Sequence, residues 1–201
     1  MSRVRVFVDF WNFQLGWNDA TSKQEKCDWR ALPLVLVNQT AEVFRSAGLI
    51  ADLSLEQTIV HASVDPETER PLREWLTSFV DRLPSFDVKI RERRSRPKSI
   101  RCRSCGTTTS ICPSCGHEYV GKPEKGVDAA IVTDLLSLAW QEAYDLALLV
   151  SSDADYIPAV EHVQEKGLKV VNASWKHRGH ELQAACWASF HIDDLQEQLC
   201  R

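Results

Sequence analysis

Apolar residues follow two alternating patterns along this chain, short continuous runs and longer stretches with a helical repeat. The continuous runs predict five β-strands, at 4–8, 55–62, 86–90, 146–150 and 168–171. The helical stretches between them predict helices at 32–47, 68–82, 128–143 and 157–166, then a helix near 180–188 and a short strand near 190–192. This alternation is typical of an α/β, Rossmann-like, doubly wound parallel sheet, for which we expect the strand order 3-2-1-4-5.

Acidic residues follow the two strands that this order places side by side. Asp9 closes the first strand, and Asp153 and Asp155 follow the fourth, while Asp128 opens the helix before it. Ligands of such sheets bind at the carboxyl ends of the strands, where the strand order reverses, so these carboxylates are expected to meet there. Buried carboxylates repel one another, and a hard cation such as Mg²⁺ or Mn²⁺ relieves that repulsion. The pattern predicts a metal-dependent enzyme acting on phosphate.

Length and composition favour one globular domain with a small appendage. The chain has 201 residues, of which 44% are hydrophobic and 26% charged. It contains no apolar run of membrane-spanning length, and it enters the first strand without a basic or apolar leader. We therefore expect a cytoplasmic protein with no membrane association.

The formal net charge of −4 conceals a local concentration of basic residues. Between residues 89 and 103, a single acid, Glu92, accompanies Lys89, Arg91, Arg93, Arg94, Arg96, Lys98, Arg101 and Arg103. A basic strip on an otherwise acidic protein favours contact with a polyanion on one face, so these residues are candidate nucleic-acid contacts.

Four of the seven cysteines have the spacing of a metal site. Two CxxC pairs, each followed by glycine, are formed by Cys102, Cys105, Cys112 and Cys115. Four thiolates at this spacing are typical of structural Zn²⁺, and they leave no open position for catalysis. Disulfides or a redox pair fit less well with the expected compartment and with the duplication. We expect a four-cysteine zinc ribbon at 98–122, inserted into a domain spanning 1–201, and the ribbon could contact RNA or a protein partner.

Three motifs resemble those of the NYN domains of the PIN-like nuclease superfamily, specifically the LabA-like branch. They are VFVDFWNF at 6–13, KGVDAAIVTDLL at 125–136 and LLVSSDADYIPAV at 148–160, with Ser152 at a position where the family commonly has glycine. A CxxC pair before the KGVD motif also occurs in that branch. The resemblance covers nearly the whole chain and implies a PIN-like fold and divalent-metal-dependent cleavage of RNA.

The resemblance also implies roles for individual residues. By position, the acidic centre would consist of Asp9, Asp128, Asp134 and Asp153, supported by Asn12 and Asp155, with Asp9, Asp128 and Asp153 holding Mg²⁺ or Mn²⁺. Lys125 would join the nucleic-acid contacts.

Several of these residues have simpler interpretations. Asp128 and Asp155 could act only as caps of the helices that follow them. Asp134 lies six residues beyond Asp128, about 120° around the helix, so the two do not easily share one face. Trp11 and Trp17 follow the first strand and could stack on an unpaired base, or Trp11 could cover the sheet edge. His61 is expected to be a core or surface residue rather than a ligand.

Three functions remain open at the level of sequence. The leading interpretation is a metal-dependent ribonuclease that cleaves within single-stranded or structured RNA. The second is a non-catalytic RNA-binding regulator. The third, a small phosphate-ester hydrolase with Asp9 as nucleophile, is disfavoured because a second acid two residues later is absent and because a small substrate does not need the basic strip. RNA specificity and oligomeric state are left open.

Overall fold

The computed structural model describes residues 1–21, 25–121, 123 and 126–201. Within these ranges, no helix combines the length and the apolar character needed to cross a membrane. The strands are β1 (Ser2–Asp9), β2 (Leu53–Val64), β3 (Phe86–Glu92), β4 (Arg96–Pro97), β5 (Ile100–Arg101), β6 (Thr108–Thr109), β7 (Val120–Gly121), β8 (Leu146–Val150), β9 (Lys169–Ser174) and β10 (Ala188–His191). The α-helices are α1 (Phe10–Ala20), α2 (Leu32–Ser46), α3 (Arg70–Ser78), α4 (Val127–Trp140), α5 (Ile157–Glu165), α6 (His180–Ala185) and α7 (Gln196–Leu199).

Six parallel strands form the central sheet in the order β10-β9-β8-β1-β2-β3. The predicted order of the first five long strands is confirmed, and the short last strand joins the edge beside β9. The strands β1 and β8 are neighbours, with Val8 opposite Val150 in register. Their carboxyl ends therefore meet at the switch point of the sheet, where the acidic motifs were expected.

Alternating side chains of the strands fill two cores, one on each face of the sheet. Along β1, Val4, Val6 and Val8 pack towards α1, α2 and α3, whereas Phe7 packs towards α4 and α5. Both cores are closed to solvent, since these four side chains are all 0% exposed. The continuous apolar runs are explained by this burial on both faces.

Helices α1 and α3 differ from the sequence prediction. The helix α1 was not anticipated, because its run of aromatic residues resembles a strand more than an amphipathic helix; Asp9 begins it by accepting the Asn12 N–H at 3.3 Å. The helix expected at 68–82 instead ends at Ser78 and continues as a 3-10 turn over Val80–Arg82. The tighter turn places Val80 in the core and directs the chain into β3.

Gly16 allows α1 to pack directly on Trp175, which follows β9. A Cβ added at residue 16 would lie 2.0 Å from the Trp175 Nε1 atom. The substitution Gly16→Ala should therefore destabilise the protein by about 1–3 kcal/mol, although alanine normally favours a helix. Thermal unfolding would measure this as a lower melting temperature. Gly121→Ala, where the nearest atom would lie at 3.5 Å, is the control; equal melting temperatures for the two variants would contradict this packing.

Candidate active site

Two carboxylates meet at one buried hydroxyl group at the carboxyl edge of the sheet. The Tyr156 hydroxyl lies 3.1 Å from Asp9 Oδ2 and 3.2 Å from Asp128 Oδ1. Asp9 is buried at the end of β1, and Asp128 is exposed in the first turn of α4. Tyr156 lies in the short 3-10 helix Ala154–Tyr156 that joins β8 to α5, so three separate elements converge at this point.

The shared hydroxyl is uncharged and is a hydrogen donor that contacts both carboxylates. Burial raises the pKa of Tyr156 far above its ordinary value, and the neighbouring charges of Asp9 and Asp128 raise it further, so the phenol stays protonated. It carries one hydrogen and can donate it to only one of the two carboxylates at a time. Two carboxylates at one edge of a sheet supply oxygen ligands of the kind that a hard divalent cation prefers.

A second set of hydrogen bonds ties the end of β8 to the start of α1. Ser151 donates its hydroxyl hydrogen to Asp9 Oδ2 at 3.3 Å and accepts the Asp153 N–H at 3.2 Å. Asn12 accepts the Ser152 N–H through its side-chain oxygen at 3.0 Å. Asn12 thus orients the β8 loop, and only its backbone N–H contacts Asp9.

Asp153 and Asp155 occupy different positions in the loop after β8. Asp153 is half-buried and caps the 3-10 helix by accepting the Asp155 N–H at 3.0 Å. Asp155 is exposed in the first turn of that helix. Asp153 therefore lies nearer the Asp9 network, to which Ser151 connects its backbone.

Asp134 lies in a neighbouring cluster with two basic side chains. Its Oδ2 atom is 2.7 Å from Lys89 Nζ and 3.0 Å from His61 Nε2. Burial lowers the pKa of His61 to about 4 despite the attraction of Asp134, so His61 is neutral near pH 7. Lys89 consequently supplies the positive charge that balances Asp134.

These two clusters share one row of the sheet. Asp9 is in register with His61, and His61 with Lys89, across β1, β2 and β3. Side chains in register on parallel strands point to the same face, here the face covered by α4. Helix α4 lies across this row, so that Asp128 reaches its acidic end and Asp134 its basic end.

Tyr156 and Gly179 were not identified as site residues from the sequence. Gly179 precedes α6 at φ +76°, and a Cβ there would lie 2.9 Å from the Ser152 Cα atom. It permits close approach to the loop after β8. A tyrosine next to a pair of acids and an isolated glycine carry no distinctive signal, since their roles depend on contacts with distant segments.

The basic strip divides into paired and exposed residues. Lys89 is bound to Asp134, and Arg93 pairs with Glu69 while its guanidinium lies 5.2 Å above the Trp11 ring. The other members of the strip are exposed, namely Arg91, Arg94, Arg96, Lys98, Arg101 and Arg103. Lys125 lies outside the described residues. The exposed members are the part of the strip that can reach a polyanion.

The cysteine segment forms two turns with the same backbone pattern. The Cys102 and Cys112 N–H groups bond the Thr107 and His117 carbonyls, each at 2.8 Å. In each turn the glycine after the second cysteine has positive φ, +73° at Gly106 and +69° at Gly116. The strands β4 and β7 pair at the base of the segment, and no described residue from 98 to 121 contributes to either core.

Metal-binding groups are arranged sparsely in the part of the chain that the structure describes. No three His, Cys, Asp or Glu side chains there converge closely enough to hold a metal ion by themselves. Mg²⁺ does not need such a cage, because it commonly takes one or two carboxylates and completes its shell with water and substrate phosphate. The pair formed by Asp9 and Asp128, with Asp153 near it, fits that mode.

Trp17 does not have the position expected of a base-stacking residue. It is 0% exposed, and its indole N–H donates to the Glu25 carbonyl at 3.0 Å. The burial of Trp17 therefore excludes the stacking role that was left open for it. Trp11 is partly exposed, and its indole N–H donates to the Ser63 carbonyl at 2.6 Å.

Comparison with known proteins identifies the family. Among solved structures, the crystal structure of VPA0982, a protein of unknown function from Vibrio parahaemolyticus RIMD 2210633, is similar with a TM-score of 0.57 and 16% identity, covering 100% of this chain and 96% of that one. This similarity shows the fold. No curated protein matches the chain. The model of the NYN domain matches residues 3–194. The chain therefore belongs to the NYN domain family of the PIN-like nuclease superfamily.

Proposed function

We propose that this protein is a divalent-metal-dependent ribonuclease that cleaves within RNA strands at the edge formed by β1, α4 and β8. The supporting observation is the Tyr156 hydroxyl shared by Asp9 and Asp128, which brings two carboxylates together at the switch point of the sheet. Family membership in a nuclease superfamily supports the same chemistry. The narrower assignment to the LabA-like branch and the cytoplasmic location remain predictions.

Asp9, Asp128 and Asp153 would hold Mg²⁺ or Mn²⁺ through their carboxylate oxygens. When bound, such an ion lowers the pKa of a coordinated water and neutralises charge on the phosphate. Tyr156 holds Asp9 and Asp128 at a fixed separation, and Ser151 ties Asp9 to the backbone of Asp153. Asn12 fixes the loop that carries Asp153 through the Ser152 N–H. Asp155, at the exposed rim, would support a metal-bound water rather than contact Asp9 and Asp128 directly.

The exposed basic residues would bind the phosphates of the substrate on the strand β3 side of this edge. Arg91 lies next to Gly126, with its Cδ atom 3.7 Å from the position of an added Cβ, and Gly126 immediately precedes α4. The strip thus leads from the cysteine segment towards the helix that carries Asp128. Each phosphate contact would make binding depend on salt concentration.

The cysteine segment would bind one structural Zn²⁺ through Cys102, Cys105, Cys112 and Cys115, and the two turns would have to close on the metal, since their thiols do not converge in the described residues. Hydrogen bonds from Thr107 and the local backbone lower the pKa of Cys105 to about 7, and backbone hydrogen bonds in the second turn lower that of Cys112 to about 7. Thiolates are the zinc-binding form of cysteine. Without a core of its own, the segment needs such a crosslink to hold its exposed arginines in place.

Removing an acid of the pair should abolish cleavage. We expect Asp9→Asn and Asp128→Asn to lower the cutting of labelled single-stranded RNA in Mn²⁺ by more than about a hundredfold, and Tyr156→Phe to lower it by about tenfold to a hundredfold. EDTA should stop the wild-type reaction. Asp52→Asn, at an exposed residue paired with the N-terminus, is the matched control. RNA binding without any metal-dependent product would instead identify a non-catalytic RNA-binding protein.

The two acids of α4 should contribute unequally. Because Asp134 is already neutralised by Lys89, we expect Asp134→Asn to lower the cleavage rate by less than about tenfold, well short of Asp128→Asn. Initial rates measured across a range of Mn²⁺ concentrations would compare them. An Asp134→Asn variant that is inactive at every Mn²⁺ concentration, while still folded, would place Asp134 among the metal-holding residues.

The zinc assignment predicts about one equivalent of zinc per purified chain, measured by atomic emission. The Cys112→Ser variant should retain far less zinc, because three thiolates bind it more weakly. Cys186→Ser, at the end of α6 and outside the segment, is the control and should keep its zinc. A wild-type protein that is purified without chelator, supplied with zinc and still free of the metal would contradict the assignment.

A further inference from the structure

A large cleft with aromatic walls lies beside α1, on the opposite side of that helix from Asn12. Its volume is about 790 Å³, within the range of pockets that enclose small organic ligands. The apolar part of its wall consists of Phe10, Trp11, Trp29, Leu72, Trp75 and Phe79. We call this cavity the aromatic cleft. None of the metal and phosphate contacts proposed above uses it.

The aromatic rings of the wall hold one another at fixed angles. Trp75 packs edge-on against Trp29 at 5.7 Å and stacks with Phe79 at 6.1 Å between ring centroids. Trp29 forms the buried floor at 3% exposure, whereas Trp75 and Phe79 are partly exposed. Flat apolar faces that are held rigidly and reach solvent are suited to stacking on a planar ring.

Polar groups on α1 face the same cleft. Gln14 and Asn18, one helical turn apart, both line it, and Gln14 Nε2 donates to Asn18 Oδ1 at 2.8 Å. That bond leaves the Gln14 side-chain oxygen as an acceptor and the Asn18 amide group as a donor. An acceptor beside a donor matches the hydrogen-bonding edge of a nucleobase.

Cationic groups predominate around the cleft. Lys26 and Arg201 line it together with one acid, Glu25. The Arg30 guanidinium lies 5.0 Å above the Phe79 ring, and the Arg93 guanidinium lies over Trp11. This distribution of charge favours a ligand that joins an aromatic ring to a negatively charged backbone.

The first residues of α1 connect the cleft with Asp9 along the chain. Phe10 and Trp11 directly follow Asp9, and the polar residue Asn18 is seven residues further along α1, about 10 Å at the rise of a helix. A nucleotide next to the one whose phosphate lies at Asp9 could therefore place its base in the cleft, while the strand continues along the protein surface.

We propose that the aromatic cleft binds an unpaired nucleobase of the RNA strand whose phosphate lies at the Asp9 edge; the identity of the ligand rests on the proposed function. The base stacks on Trp75 and the neighbouring rings and forms hydrogen bonds with Gln14 and Asn18. Since a paired base cannot enter, the cleft selects single-stranded RNA.

Binding measured without cleavage tests this assignment separately from the nuclease proposal. Fluorescence anisotropy in EDTA would compare a labelled ten-nucleotide RNA with a ten-unit abasic ribose-phosphate strand. We expect wild type to bind the RNA at least about fivefold more tightly than the abasic strand. Trp75→Leu should remove most of that difference and leave binding of the abasic strand unchanged.

Two further variants distinguish a specific role of the cleft from the general effect of replacing a surface side chain. Asn18→Leu, on the surface of α1, should weaken binding of the RNA by about twofold to tenfold and spare the abasic strand. Trp140→Leu removes an exposed tryptophan at the end of α4 and should change neither. If Trp75→Leu and Asn18→Leu both bind the RNA as Trp140→Leu does, the proposal is wrong, whether or not the protein cleaves RNA.

A competition experiment identifies the source of the base. Free adenosine monophosphate should displace the labelled RNA only weakly, because it lacks the strand that contacts the surrounding cations. If adenosine monophosphate displaces the labelled RNA as efficiently as unlabelled RNA does, the assignment to an RNA strand is wrong and the cleft is a free-nucleotide site. If the wild-type protein binds RNA in a way that depends on Trp75 but shows no metal-dependent cleavage, the proposed function is refuted and the nucleobase proposal stands.

Discussion

The contact of Asp9 and Asp128 with a single buried hydroxyl is the constraint on which the rest of this edge depends. A carboxylate at the end of a buried strand loses hydration, and a second one nearby adds repulsion. Tyr156 contacts both acids through one hydroxyl, so the ends of β1 and β8 and the start of α4 must be held together for the contact to form. The cap at the start of α1, the Ser151 hydroxyl and the parallel pairing of β1 with β8 all serve that purpose.

At the other end of the row formed by Asp9, His61 and Lys89, an acid of α4 is balanced by an ion pair. There, Lys89 balances Asp134, and burial keeps His61 neutral between them and Asp9. The acids of α4 thus have unlike environments although they lie on one helix. Asp128 contacts the uncharged hydroxyl of Tyr156, whereas Asp134 forms an ion pair with Lys89. This difference is the physical reason for proposing the metal site at the Asp9 end rather than at Asp134.

Helix α1 lies between the proposed metal site on one side and the aromatic cleft on the other. Its first turn carries Asn12, which fixes the loop after β8, and Trp11, which opens onto the aromatic cleft. Because 3.6 residues complete a turn, adjacent residues diverge by about 100° and can serve different surfaces. A strand of RNA lying across the first turn of α1 would therefore meet both.

Much of this arrangement was determined by the sequence alone. Continuous apolar runs require strands buried on both faces, and alternation with helices makes those strands parallel. The strand order could therefore be predicted, and with it the position of Asp9 and Asp153 at one edge of the sheet. The spacing of the cysteines likewise predicted two similar turns. Only the tertiary structure decided which partners the acids have. The Tyr156 hydroxyl, the ion pair of Asp134 and the close approach at Gly179 join segments distant along the chain, and a local pattern of residues carries no information about such contacts. The aromatic cleft has the same origin, because its walls come from α1, α3 and the segment between α1 and α2, and none of them forms a cavity by itself.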